Sequence, residues 1–248
     1  NAKLMTMGAV AGLAMMGSSW AGTVTVNNIG GTTRAAVTGT DINAKLDNST
    51  ADDVAVKAQD VTTSESHVGS LSVGIGADGG AGVSAASDTL ILSRKTAAEL
   101  SGTAAAKKTV NGRNVAVTAD QKSEVITNAD GVAGAGGVYG AGAVAATAAA
   151  TKLDGSVSAT MKNITSTNKG LEISAKHDHK TTLVSASAAV SAAMVSGAVG
   201  AGVGVVNDDF TTDAELAGST VTAKKDSSLS DSGSVKVAAD SSTGVTTV

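Results

Sequence analysis

His177-Asp178-His179 is the place in this chain where side chains of ligand type crowd together. Residues i and i+2 of a strand point the same way, so the two imidazoles would share a face and could hold a metal ion. A solvated turn between repeats is the preferred reading, because the matching stretch Gln59-Asp60-Val61 has no histidine. His67 stands in the polar run Ser64-Glu65-Ser66-His67, without the nucleophile context that a catalytic triad needs. Asp52-Asp53 and Asn207-Asp208-Asp209 offer oxygen ligands of the kind calcium takes. The Gly-Gly-x-Gly-x-Asp pattern of calcium-binding nonapeptides is missing, and Ala77-Asp78-Gly79-Gly80-Ala81-Gly82 does not match it, so hydrated turns are expected there. Gly74-Ile-Gly76-Ala-Asp-Gly79 has the letters of a dinucleotide loop, yet no helical pattern follows it, and no Gly-Lys-Ser/Thr is present. Asn48-Ser-Thr50 and Asn163-Ile-Thr165 fit the glycosylation acceptor pattern, which a Ser/Thr/Asn-rich chain produces by chance. The expectation is no catalytic residue, no cofactor and no metal site, with the glycines serving structure.

The elements around these residues are built from unusual material. The 248 residues include thirty glycines, no proline, no cysteine and three aromatics, Trp20, Tyr139 and Phe210. Aromatic and large aliphatic side chains normally supply most of a compact core. Here Val, Ala, Ile, Leu and backbone atoms must do so, which favours thin layers in an extended repetitive architecture. Net charge is −4 and the eighteen Lys and Arg are scattered, so the basic patch of a nucleic-acid binder is lacking. Without cysteine there are neither disulfides nor thiolate metal sites.

A repeat of about sixty residues organises the chain. Its marker is a short alternating strand closed by Ala and then Asp. It reads Val54-Ala-Val56-Lys-Ala58-Gln-Asp60, Val115-Ala-Val117-Thr-Ala119-Asp120, Leu171-Glu-Ile173-Ser-Ala175-Lys-His-Asp178 and Val235-Lys-Val237-Ala-Ala239-Asp240. Each unit opens with a polar run and enters an Ala/Gly/Val tract, at 5–22, 68–84, 131–150 and 183–206. A second polar strand follows, with Ala36-Val37, Glu99-Leu100, Thr160-Met161 and Glu215-Leu216 as counterparts. A loop rich in Asn, Asp, Lys and Ser closes the unit. One continuous structure of four repeats is expected, at about 1–60, 61–120, 121–178 and 179–240, with a fifth beginning at 241–248. Trp20 and Tyr139 stand at nearly equal distances before Asp60 and Asp178 and are expected to fill one slot. Asn27-Asn28 is matched with Asn207-Asp208.

The tracts decide the fold class. Residues 183–206 carry no charge and are long enough to span a bilayer as a helix, as are 131–150. In Val199-Gly-Ala201-Gly-Val203-Gly-Val205, however, apolar residues alternate with glycine, and Ser70-Leu71-Ser-Val73-Gly-Ile75-Gly76 alternates likewise. Period 2 marks a strand with one apolar and one nearly bare face. A bare face lets another layer approach closely. The tract 131–150 is the one where strand and helix remain open alternatives. Short parallel strands linked by polar turns predict an all-β chain, a parallel β-solenoid (β-helix). At about twenty residues per coil, each unit would make three coils. Lys3 and the apolar stretch after it imitate a secretory signal, but the repeat phase favours the tract of the first unit.

With the tracts, the strand Thr212-Asp-Ala-Glu-Leu-Ala-Gly-Ser-Thr-Val-Thr-Ala223 and the Val-x-Val-x-Ala-Asp closers in view, the chain resembles the large repetitive surface proteins of diderm bacteria, the filamentous-haemagglutinin-like and autotransporter-type adhesins. The resemblance implies a β-helical stalk, export to the cell surface, and roles in adhesion, aggregation or matrix. No enzyme is expected. The expected partners are further repeats or copies of the chain stacked end to end, and a host or neighbouring-cell surface. Two other classes stand beside this one. The first is a carbohydrate- or ice-binding module on a flat Thr/Ser face, for which Thr23-Val-Thr25 and Thr220-Val-Thr222 supply paired threonines. The second is a membrane-inserting toxin segment, resting on the uncharged tracts. Both ends lack a charged cap, and a longer chain or a polymerising protomer is expected.

Overall fold

The structure, a computed structural model, describes residues 2–14, 17–44, 53–225 and 233–248. Its elements fall into groups of three strands. The first group is β1 (Ala2–Ala14), β2 (Ser18–Thr38) and β3 (Ile42–Asn43). The second is β4 (Val54–Gly76), β5 (Gly80–Ser101) and β6 (Lys108–Asn111). The third is β7 (Asn114–Gly137), β8 (Gly140–Lys162) and β9 (Ile164–Asn168). The fourth is β10 (Gly170–Ala192), β11 (Val195–Ala217) and β12 (Thr220–Ala223), after which β13 (Ser234–Thr247) starts again. Each strand pairs in parallel with its counterparts one group away. Two long sheets result, ordered β1-β4-β7-β10-β13 and β2-β5-β8-β11, with a short sheet β3-β6-β9-β12. The chain is a parallel β-solenoid. The tract 131–150 lies in β7 and β8 and is strand.

The size of the coil corrects the sequence reading. One turn of the solenoid consumes a whole sixty-residue unit, not about twenty residues. The closing strand of one unit and the polar run and tract of the next are one continuous strand: β4 has 23 residues and β7 has 24. The chain climbs one long sheet, turns through two or three residues, returns down the other and crosses the short sheet. In section the coil is a blade: broad where three sheets meet, thin at the turn.

Register follows the sequence marker. Val54, Val115, Leu171 and Val235 form one row, and Ala58, Ala119, Ala175 and Ala239 another. The closing aspartates do not stack as one row. Asp120 and Asp240 flank Lys176, Asp60 lies one row on, and Asp178 two rows on. Ala36, Glu99, Thr160 and Glu215 share a row, as matched. Asn207 shares its row with Asn28, one residue away from the expected match. Trp20 and Tyr139 do not share a slot: Trp20 heads the row Trp20-Val83-Val144-Val199, while Tyr139 sits in the turn between β7 and β8.

Three kinds of interior follow from the residues turned inward. At the broad end Val56, Leu100, Val110, Val117, Met161, Ile164 and Ile173 form the largest apolar core. Midway the filling turns polar, with Asp60, Ser66, Asp88, Gln121 and His177 among Leu90, Leu92, Val125 and Leu153. At the thin end only Gly, Ala, Ser and Thr separate the long sheets. A Cβ on Gly74 would lie 2.0 Å from the carbonyl oxygen of Ala81, and one on Gly82 2.1 Å from that of Gly134. The bare face of the tracts is therefore the inner one, and backbones there nearly touch.

Candidate functional site

The clustered histidines lie in a different place from the expected one. His177 and His179 are in the middle of β10, inward-facing and each 1% exposed, so the solvated turn is corrected. The marker sequence misled because their row partners, Gln121 and Asp60 for His177 and Ser123 and Thr62 for His179, are polar without being histidine; the shared property is inward polarity. The His177 ring stacks on Phe210 with centroids 3.9 Å apart, and on His179 at 5.9 Å. Nε2 of His179 meets the Thr181 hydroxyl, while both ring nitrogens of His177 lack a hydrogen-bond partner. Burial lowers the affinity of His177 for a proton against the pull of Asp208 and Asp178. Burial, aided by His177, brings the pKa of His179 down to about 4. Two neutral imidazoles on one face could in principle take a metal, but among the described residues no three His, Cys, Asp or Glu side chains gather to hold one.

The other singled-out groups have structural partners. His67 Nε2 lies 2.8 Å from Glu65 on the outer face. Asp53 pairs with Arg113 and accepts from the Asn114 amide, which together hold its carboxyl below the usual range; Asp52 lies outside the described residues. Asp208 accepts a hydrogen bond from Thr243. Asn163, in the second acceptor pattern, has φ 54 at the corner after β8, and Asn48 lies outside the described residues. Gly74 and Gly76 end β4 against backbone and cradle nothing. Thr23 and Thr25 turn inward, Thr23 donating to the Gly69 carbonyl, so they form no open face.

Between the long sheets, three unlike contacts stand at nearly one height. Arg94 donates to both oxygens of Asp60 at 2.6 and 2.8 Å. Two residues on along the same strand, Thr96 donates to Gln121 of the next coil. In the last, His177 and Phe210 stack. Arg94, Gly155 and Phe210 lie in one row, and Gly155 leaves the room: a Cβ there would sit 2.0 Å from the Arg94 carbonyl oxygen and 2.7 Å from the Phe210 ring.

The outer faces are the remaining surface, and they change character along the blade. Toward the broad end the outward residues are charged or polar: Lys57, Lys122, Lys176 and Glu172 on one sheet, Lys152, Asp154, Asp213 and Glu215 on the other. Toward the thin end they are apolar. One outer face carries Leu71, Val73, Ile75, Val132 and Val190. The other carries Trp20, Val24, Val144, Val199 and Val203. Parity never changes, so the apolar set passes from the inner face to the outer face within one unbroken strand. The turns between carry Val138, Tyr139 and Met194, all exposed. The short sheet presents a third surface, with the rows Thr109-Thr165-Thr220 and Asn43-Asn111-Thr167-Thr222. A shallow groove of about 500 Å³ crosses β7, β10 and β13 over Asn114, Ala116, Glu172 and Lys236.

The fold and its faces thus define a β-solenoid protein. No family model matches the chain, and neither does any curated protein or solved structure compared with it.

Proposed function

We propose that this chain is a structural and adhesive segment of a bacterial cell-surface or extracellular filament. One observation carries the reading: every coil pairs in parallel and in register with the coil about sixty residues away, over strands of matching length. Parallel edges of matching length are templates for further coils, whether of the same polypeptide or of another copy. Such a stack would rise by about 4.7–4.9 Å per coil. The reading assigns the chain no reaction and no cofactor, and it assigns the faces of the blade to contact with other surfaces. Electron microscopy of the purified chain is the test, with rods that lengthen with concentration as the expected outcome. A monodisperse monomer at high concentration overturns stacking between copies.

A specific observation favours a second reading. The rows of Thr and Asn on the short sheet present side chains at a regular spacing, with Asn111 donating to Asn43 at 3.0 Å. Flat hydroxyl and amide arrays suit carbohydrate or ice. Retention on immobilised glycans or in growing ice, lost on substituting Thr165 and Thr220 by Lys, would favour it over the filament.

A further inference from the structure

We propose that the thin edge of the blade enters a lipid bilayer, turn first, with both outer faces in hydrocarbon. The inversion of polarity along each strand is the first ground. In the thin half the hydroxyl groups lie inside, among Ala and Gly, and the large apolar side chains lie outside. Ser70 and Ser84 share a hydrogen bond of 2.5 Å, and Ser72 donates to the Ser19 carbonyl. Thr147 and Ser185 are joined at 2.8 Å, and Ser185 accepts from the Val203 amide. Trp20, Val24, Val144, Val199, Val203, Leu71, Ile75, Val132 and Val190 face out and are exposed. A strand in water hides its apolar set and shows its polar one. Apolar-out and polar-in is the arrangement of strands whose solvent is lipid.

The second ground separates lipid from a protein partner. A partner or a second copy lying flat would cover one face. Here both faces and the rim are apolar, with Val138, Tyr139, Met194 and Val195 at 56–81% exposure. Only a medium that surrounds the blade covers all three. Charge complements this. Among the described residues, outward side chains beyond Asp130 on one sheet and Lys152 on the other carry no charge until Asp78 in the turn. Charges of both signs then resume on both faces, as Lys122, Glu124 and Lys180 opposite Lys95, Lys152 and Asp154, which suits a headgroup layer. From Val205 to Val195 is ten residues, about 33 Å at 3.3 Å each, against about 30 Å for the hydrocarbon core. That length carries Asp78 and Tyr139 to the far headgroups.

Lipid also demands that backbone groups be paired within the structure. Between coils the ladders do this along the strands and continue through the turns: Val138 N donates to Ala77 O, Met194 N to Val138 O and Val195 N to Tyr139 O. A single four-coil blade carries all three apolar surfaces, but the inference rests on the stacking proposed above for the two outermost coils, whose open ladder edges a further coil must cover in hydrocarbon.

Trp20, the sole tryptophan, stands on the apolar outer face and reports directly. The 248-residue chain is mixed with phosphatidylcholine vesicles, floated, and read by Trp20 emission with and without brominated acyl chains. The expected result is flotation, a blue shift and quenching by the brominated lipid. Val199→Asp with Val203→Asp, both outward, should lower partitioning ten- to hundredfold while the far-UV strand spectrum is kept. Three results overturn the proposal. One is wild-type chain that stays at the bottom of the gradient. Another is a blue shift that grows with protein concentration and needs no vesicles, which assigns the faces to a second copy. The last is flotation without quenching by brominated chains, which places Trp20 outside hydrocarbon.

Discussion

His177 and His179 are kept without their protons by the interior that they fill, and this couples the fold to acid. Burial depresses both affinities, that of His179 to about 4 from 6.5. The unfolded chain therefore binds more protons than the folded one between those values. The stability that neutral His179 contributes is whole above pH 6.5 and is lost as the pH falls toward 4, by about 3 kcal/mol. Asp88 works in the opposite sense at the acid end, since burial raises its pKa despite the Ser66 hydrogen bond. A melting temperature followed from pH 7 to pH 4 should fall in wild type and fall less in His179→Leu; parallel curves would show that His179 is not the group responsible. Glycine gives a second test at this scale. Gly197 and Gly202 lie on one strand, five residues apart, and face opposite ways. A Cβ on Gly202 would meet the Ser185 carbonyl oxygen at 2.5 Å, and one on Gly197 meets nothing within 4 Å. Gly202→Val should cost about 2–3 kcal/mol by overpacking, and Gly197→Val less than about 0.5. Equal denaturation midpoints for the two would remove the close approach of the sheets.

At the scale of elements, the corner between the second long sheet and the short one is made by a stack of left-handed residues. Gly39, Asn163 and Gly218 have φ of 67, 54 and 57. Asparagine is the side chain that tolerates this conformation best after glycine, and its amide donates to the Gly102 carbonyl. Asn163→Gly should leave stability within about 0.5 kcal/mol, whereas Asn163→Val should lower it by about 1–2 kcal/mol, measured by denaturant titration. Asn163→Val matching wild type would mean that the corner adapts. The elements also show what sequence could and could not tell. Alternation is readable in 70–76 and 199–205, because a period of two survives whichever face is buried, whereas in 131–150 alanine fills both faces and leaves strand and helix open. Coil size is not readable. A period of sixty residues divides equally well into three coils of twenty or one of sixty. The choice depends on strand length, and strand length is masked where the apolar set crosses from inner to outer face. Around Thr62–Val68 and Thr151–Val157 the hydrophobic pattern fades while the strand runs on, so each half reads as its own element. Inward polarity hid the histidines for a related reason. Asp60, Gln121 and His177 have little in common as letters, and only the register makes them one row.

For the whole molecule the governing quantity is the distance along the chain between neighbours in a ladder. Val54 pairs with Val115, Asn114 with Gly170 and Gly170 with Ser234, which are 61, 56 and 64 residues apart. Almost no stabilising contact is local, so the loop-closure entropy of a full coil precedes the first ladder bond. Refolding from denaturant should take seconds or longer, and it should speed up when preformed solenoid is added as a template. Millisecond refolding with no response to seeds would place nucleation in local contacts instead.

The unlike bridges inside successive coils give the stack an order. Viewed from outside, one coil resembles the next, and a chain of similar layers could close out of sequence or trade a layer with a neighbour. Inside, the layers differ in what they carry. Arg94 needs the carboxylate of Asp60, Phe210 needs the bare space over Gly155 and the flat ring of His177, and Thr96 finds the amide of Gln121. A layer moved one place along would set an unpaired guanidinium in the interior or press a ring into a carbonyl group, at a cost of several kcal/mol. Sameness outside lets the structure lengthen, and difference inside fixes which layer stands where.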